Sequence, residues 1–281
     1  LEYLPWPYPT TYPDIPPFYQ QLAGEPEDFA ILDLPLGTSS AAKLYMYYST
    51  IHGKALVGGR VARLPRSAWS FIDSVPLLRG LHTDDEMDPA LCDVSRQLSA
   101  LAQTDVRYVV LHPSWVTPDR VARWREWLAV PPAYEDQYTI VYRTALEFGR
   151  DFDFLATMGD GIGVIDTALD DSALSRGHTL EVALAWGSQE APERDWLAQM
   201  TLVASPGTEI QQVTFAPCAG WPTSQWGGNA VARGRGAMEI DAGVETGTYT
   251  VTLALIDAVT GVPAGEPLAA GQIEIREAVT Q

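Results

Sequence analysis

Apolar positions along residues 28–143 switch repeatedly between two rhythms. Phe29-Ala30-Ile31-Leu32 is a short continuous apolar run with Asp33 at its end, and it predicts a buried strand over 29–34. After a Pro-Gly turn, Ala41, Leu44, Tyr45, Tyr48 and Ile51 recur at helical spacing, with Ser39 or Ser40 placed to cap the start. Lys54–Val57 is short enough for a second strand, and Arg66–Leu81 reads as a helix broken at Pro76. A helix opens at Pro89 and runs to about Ala102, with Leu91, Val94, Leu98 and Leu101 on one face. Val106–Leu111 is the clearest strand of the chain, closed by His112-Pro113. Thr117-Pro118-Asp119 caps a helix over 118–129, and 138–143 alternates like an edge strand. Strands alternating with helices predict a mostly parallel sheet, here a Rossmann-like three-layer α/β domain over 28–150.

From 151 to 281 the rhythm changes. Short β-rich runs at 162–168, 178–186, 196–204, 209–215, 236–241, 247–257 and 271–276 are separated by Gly, Pro and Asp. Such spacing predicts an immunoglobulin-like antiparallel β-sandwich, so the fold class is α/β plus all-β. Asp257–Gly261 (DAVTG) reads as a turn between two of its strands. Residues 1–27 carry prolines at 5, 7, 9, 13, 16, 17 and 26, which forbid regular structure until about Phe18. A short helix, Pro17 to Ala23, then leads into the first strand. The interleaved Tyr3, Trp6, Tyr8 and Tyr12 suit an extended arm packed on the domain or a juxtamembrane linker, since Trp and Tyr collect at membrane interfaces.

Charge narrows the partners. The 281 residues carry a formal net charge of −18, which opposes nucleic acid and anionic lipid alike. No apolar run approaches the 18 or so residues of a membrane span. The two cysteines, Cys92 and Cys218, are too few for a disulfide framework and match no zinc spacing; a bond between them is not the expectation.

Candidate chemistry gathers around the first strand and helix. Asp33, Tyr48, His52, Lys54 and Arg60, with His112 after the later strand, can line one crevice, with Tyr45, Tyr47 or Tyr48 as a stacking wall. An aromatic face with carboxylate hydrogen bonds suits a neutral sugar, whereas Lys54 and Arg60 would suit a phosphate or uronate. The competing structural reading has Asp33 capping a turn and His52 ending a helix. Trp221 and Trp226 suggest a sugar platform on the sandwich, against a loop pinned by tryptophan. No G-x-S-x-G elbow, calcium loop or metal-ligand spacing occurs, and Gly159-Asp160-Gly161-Ile162-Gly163 precedes strand-like sequence, which excludes a dinucleotide loop. Thus no catalytic residue, metal or cofactor is assigned.

Two passages resemble a known class of protein. One is ILDLPL with YYSTIHGKALVGGRVAR; the other comprises GDGIGVIDTAL, LEVALAW, WPTSQW and GTYTVTLALIDAVTG. Together they resemble the carboxy-terminal extracytoplasmic half of bacterial polytopic membrane proteins similar to lipid-linked-sugar glycosyltransferases of the dolichyl-phosphate-mannose or aminoarabinose-transferase type. That resemblance implies a catalytic carboxylate in the membrane half, outside this sequence. It also implies a non-catalytic accessory module on the outer face of the cell membrane, aiding substrate or partner recognition. Its partners would be its own N-terminal membrane domain and a carbohydrate or lipid-linked sugar. Leu1 as the first residue fits a chain cut after the last membrane helix. A free-standing carbohydrate-active hydrolase with paired carboxylates, and a structural cell-surface domain, are the alternative expectations.

Overall fold

A computed structural model describes residues 13–36, 39–59, 66–83 and 86–277. The aromatic residues of the arm up to Tyr12, and Arg60, lie outside them. Helix α1 (Pro17–Leu22) precedes β1 (Ala30–Leu34), α2 (Ser39–His52), β2 (Ala55–Leu56), α3 (Arg66–Ser74) and α4 (Pro76–Thr83). Then come α5 (Val94–Ala102), β3 (Val106–Leu111), α6 (Pro118–Leu128), β4 (Tyr134–Glu135) and β5 (Ile140–Arg143). The five strands form one mixed sheet in the order β2-β1-β3-β5-β4, with β2 and β3 parallel to β1. Strand β5 runs antiparallel to β3 and β4 antiparallel to β5, and β5 is interior because β4 takes the edge that the sequence assigned to 138–143.

Strand alternation sends successive side chains to opposite faces. Leu32 and Leu34 of β1 and Val109 and Leu111 of β3 enter a cluster with Leu77, Leu98, Leu101, Trp124 and Trp127 from α4, α5 and α6. Ile31 and Val110 enter another with Phe18, Tyr19 and Leu22 of α1 and Ala41, Tyr45 and Tyr48 of α2. On α2 the buried positions are 41, 42, 45, 48 and 52, one helical stripe; Ile51, expected on that stripe, is exposed. Helix α5 starts at Val94 rather than Pro89, because Asp88 first holds a turn: its carboxylate accepts from Ala90 N at 2.9 Å and its carbonyl from Leu91 N at 3.0 Å.

Residues 156–276 build two further sheets: β6 (Ala156–Gly159), β7 (Ile162–Leu169), β9 (Thr179–Ser188) and β12 (Val231–Glu239) form one, in the order β12-β9-β7-β6. The other contains β8 (Ala173–Ser175), β10 (Trp196–Ala204), β11 (Thr208–Phe215), β13 (Gly247–Asp257) and β14 (Leu268–Arg276), in the order β11-β10-β13-β14-β8. All pairings are antiparallel except β14 with β8. Strand β12 starts five residues before the run at 236–241 suggested, its apolar pattern being hidden by Arg233-Gly234-Arg235-Gly236. Gly236 is needed there, since a Cβ would lie 2.4 Å from the Phe215 ring. Asp160 and Gly161 take positive φ (51° and 69°) in the tight turn between the antiparallel β6 and β7, so the glycine-rich stretch opens a strand, as its sequence suggested, and forms a hairpin turn. Both sheets share one core that includes Trp186, Trp196, Met200, Leu253 and Ile273.

The halves are joined covalently. Cys92 and Cys218 form a disulfide, with Cα atoms 5.5 Å apart, which corrects the expectation of unpaired thiols. The two are 126 residues apart in sequence, so no local spacing could announce the bond. Around it, Arg233 N donates to Cys92 O (2.9 Å), Val231 N to Ser95 Oγ (2.9 Å), and Arg233 Nη2 to Glu126 Oε1 (2.7 Å). Among the described residues no helix is long and apolar enough to cross a membrane.

Candidate functional site

Chain order and sheet order together mark one place on the mixed sheet. From β1 the chain moves to β2 on one side and then returns to β3 on the other, so the strand order reverses between β1 and β3. In open α/β sheets, ligands bind beyond the carboxyl ends of the strands flanking such a reversal. Asp33 lies at that end of β1, and His112 directly follows β3. Alternation turns both toward α1 and α2, the same face as Ile31 and Val110.

There they meet Tyr19 of α1, a residue the sequence reading passed over as part of a lead-in helix. The Tyr19 hydroxyl donates to Asp33 Oδ1, while His112 Nε2 lies 2.9 Å from the hydroxyl oxygen and 3.0 Å from the same Asp33 oxygen. One phenolic proton is already committed to the carboxylate, so His112 Nε2 carries the hydrogen for the remaining contacts. Asp33 is 5% exposed, His112 3% and Tyr19 0%. Asp33 Oδ2 has no hydrogen-bond partner among the described residues.

Aromatic rings extend the cluster along α2. Tyr19 stacks on Tyr48 (centroids 4.8 Å apart) and on His52 (5.2 Å), and Tyr45 stacks on His112 (4.7 Å). His52 Nδ1 accepts from Lys54 N at 2.9 Å, which places the proton of the neutral ring on Nε2. That Nε2 is buried without a partner among the described residues. Burial pulls the His52 pKa below 6.5, opposed by Asp33 and assisted by Lys54. Burial, and then the neighbouring Asp33 carboxylate, holds the Tyr19 hydroxyl well above its ordinary range. Tyr48 is pushed up to about 12 by burial first and then by the carboxylates of Asp14 and Asp33.

The residues expected in one crevice therefore divide. Asp33, Tyr48, His52 and His112 do come together, with Tyr19 and Tyr45. Lys54 does not: its ammonium donates to the carbonyls of Glu25 and Glu27 (2.8 Å) and sits over the Phe29 ring, tethering the segment before β1. Arg60 lies outside the described residues. Trp221 and Trp226 are buried in the sandwich core, their rings 5.4 Å apart and Trp226 Nε1 donating to Trp221 O at 3.1 Å. Trp226 is closed off, and Trp221 contributes only a buried edge to a separate cleft shared with Ser95, Gln103 and Asn229.

A cleft of about 350 Å³ opens beside the cluster. Its walls include Asp14, Tyr48, His112, Ser114, Trp115 and Tyr138. Ser114 and Trp115 are set by a single 3₁₀ turn, Pro113–Trp115, in which Trp115 N donates to His112 O at 3.1 Å. Opposite, the Tyr48 hydroxyl donates to Asp14 O (3.0 Å) and fixes the arm segment along the rim. Among the described residues, no group of three or more His, Cys, Asp or Glu side chains is placed to hold a metal.

No protein-family model matches the chain, and no curated protein matches it in sequence. Several solved structures are distantly similar. The C-terminal domain of Wzt shares 8% identity over 44% of this chain and 78% of its own, with a TM-score of 0.35. A Niemann-Pick type C2 protein from Japanese carpenter ant shares 7% over 44% of this chain and 98% of its own, at 0.32. A β-glucosidase from Listeria innocua, in complex with glucose, shares 12% over 42% of this chain and 16% of its own, at 0.24. With TM-scores this low, none of them bears on function.

Proposed function

We propose that the chain is a non-catalytic extracytoplasmic module of a membrane glycosyltransferase-like protein, recognising a substrate or partner for a membrane domain that precedes it. In this reading the first half is a Rossmann-like three-layer unit and the second an immunoglobulin-like sandwich. The parallel β2-β1-β3 core with apolar clusters on both faces supports the first label, and two sheets around one core support the second. The antiparallel β5 and the parallel β8 are departures from those patterns. The observation that carries the proposal is the Cys92–Cys218 bond, because disulfides persist in oxidising compartments and are rare in the reducing cytosol. A recognition role is supported by Asp33 being closed off behind Tyr19 and tied to it and to His112.

The test is the reading frame upstream of Leu1. Several apolar runs of about 20 residues are the expected result. A start close to Leu1 behind a cleavable signal overturns the membrane-module reading. One observation favours a hydrolase instead: Asp14 lines the cleft, Asp33 lies beneath its His112 wall, and both bear electrostatically on Tyr48. Glycoside turnover by this chain, abolished by Asp14→Asn or Asp33→Asn, would establish that alternative.

A further inference from the structure

The cleft beside His112 has a definite charge character. Asp14 lines it, and Asp33 lies behind His112 with its second oxygen unpartnered among the described residues. Among the described residues no lysine or arginine lines it, and the Lys54 ammonium is committed to the carbonyls of Glu25 and Glu27. A phosphate or carboxylate entering here would meet negative charge with no cation to pair with, an uncompensated cost in a partly desolvated site. What the walls do offer is hydrogen bonding in both senses: the Asp14 carboxylate accepts, and the Ser114 and Tyr138 hydroxyls both donate and accept. Behind the cleft, Asp33 Oδ2 and His52 Nε2 are an acceptor and a donor left unsatisfied among the described residues. Groups that give and take hydrogen bonds without charge are hydroxyls. Trp115, more than a third exposed (37%), adds the aromatic surface on which the C–H face of a sugar ring packs. The volume of about 350 Å³ falls at the small end of ligand clefts.

We propose that this cleft, between Asp14 on the arm and Ser114-Trp115 after β3, binds a sugar ring that carries no anionic group. The inference rests on the recognition role proposed above and narrows it: the part recognised is the uncharged saccharide, and any phosphate of a larger substrate stays outside the cleft. His112 and Tyr48 form the floor, and Ser114, Trp115 and Asp14 are the exposed contacts that a ligand reaches first.

Calorimetric or NMR titration of the whole chain tests this with methyl glucoside, methyl mannoside and methyl galactoside as probes, against glucuronate and glucose 1-phosphate. Saturable binding of at least one methyl glycoside, with a dissociation constant on the order of 1 mM, is expected. The Ser114→Ala, Trp115→Ala and Asp14→Asn variants should each weaken it roughly three- to tenfold. All three positions are exposed, so unchanged circular dichroism and melting temperature will show that the fold is intact. Tighter binding of glucuronate or glucose 1-phosphate than of every methyl glycoside overturns the proposal, as does binding unaffected by all three variants or no binding of any methyl glycoside. The upstream reading frame keeps the two proposals separable. Spanning segments without sugar binding would remove the sugar and leave the membrane module, and sugar binding without spanning segments would do the reverse.

Discussion

The two faces of the mixed sheet are built from the same strands and could hardly differ more. Toward α4, α5 and α6, β1 and β3 offer Leu32, Leu34, Val109 and Leu111, which pack on leucine and tryptophan with Trp127 Nε1 tied to Leu91 O at 3.0 Å. Toward α1 and α2 the same strands end in Asp33 and His112, buried as deeply but among tyrosine and histidine rings. One face is a dry interior whose contribution is area removed from water. The other contains a carboxylate and two imidazoles that must be hydrogen-bonded to be tolerated; among the described residues it leaves Asp33 Oδ2 and His52 Nε2 unsatisfied, where the dry face leaves the weaker donor Trp124 Nε1. Aliphatics on both faces would have avoided the cost of burying such groups, and the asymmetry is what singles out the α1–α2 face as the candidate site.

That contrast can be broken most severely from the dry side. Trp124→Ala removes a fully buried ring and should cost about 3–5 kcal/mol, read as a fall in the urea midpoint that is the same at pH 5 and pH 8. On the polar side the loss should be smaller. Asp33→Ala strands the Tyr19 hydroxyl and His112 Nε2 in the interior, a penalty of about 1–3 kcal/mol. Tyr19→Phe, which keeps the ring stack and removes only the hydroxyl, should fall below that.

The faces should also separate by pH. His52 has a folded pKa below its ordinary 6.5, so the unfolded chain takes up the proton first. Its contribution is present above about pH 6.5 and is lost as pH falls through the lowered value. Tyr19 and Tyr48 are shifted the other way, Tyr48 to about 12 against an ordinary 10.0. Their contribution is complete below pH 10 and is lost as pH rises through the folded values. Chemical denaturation across this range should give a dome, and His52→Asn, whose amide oxygen can still accept from Lys54 N, should flatten its acid limb while leaving the alkaline limb in place. The smallest change expected is Ser114→Ala, an exposed substitution that should stay within about 0.5 kcal/mol of the parent.

Local pattern reveals one side of this contrast better than the other. Apolar runs ending at Asp33 and His112 mark β1 and β3 from sequence alone, and the 3.6-residue rhythm places Tyr45 and Tyr48 inward. The rhythm alone does not decide between Ile51 and His52; the amide of Lys54, two residues on, and the ring of Tyr19, a tertiary partner, do. Lys54 illustrates the opposite error. A lysine near a candidate crevice suggests an anion, yet carbonyls 27 and 29 residues earlier in the chain claim its ammonium. Tyr19 is silent for a similar reason, because nothing in a proline-rich lead-in signals that one hydroxyl will meet an aspartate 14 residues on and a histidine 93 residues on. The second half behaves alike: Asp257 announces its turn by accepting from Val259 N and Thr260 N, whereas the burial of Trp221 and Trp226 depends on strands far along the chain.

The Cys92–Cys218 bond also bears on survival after cleavage. It closes a covalent ring that contains α5, the strands β3 to β11 and the passage between the halves. A single protease cut within that ring leaves the two fragments one molecule, and the cut can be resealed in shape by reassociation at an effective concentration no separate fragments would reach. A cut between α2 and Cys92, outside the ring, leaves α1, β1 and α2, and with them Asp33, Tyr48 and His52, without a covalent hold on the rest. Which side of Cys92 a cut falls on thus decides whether the two pieces stay one molecule, and Asp33, Tyr48 and His52 lie on the side that does not.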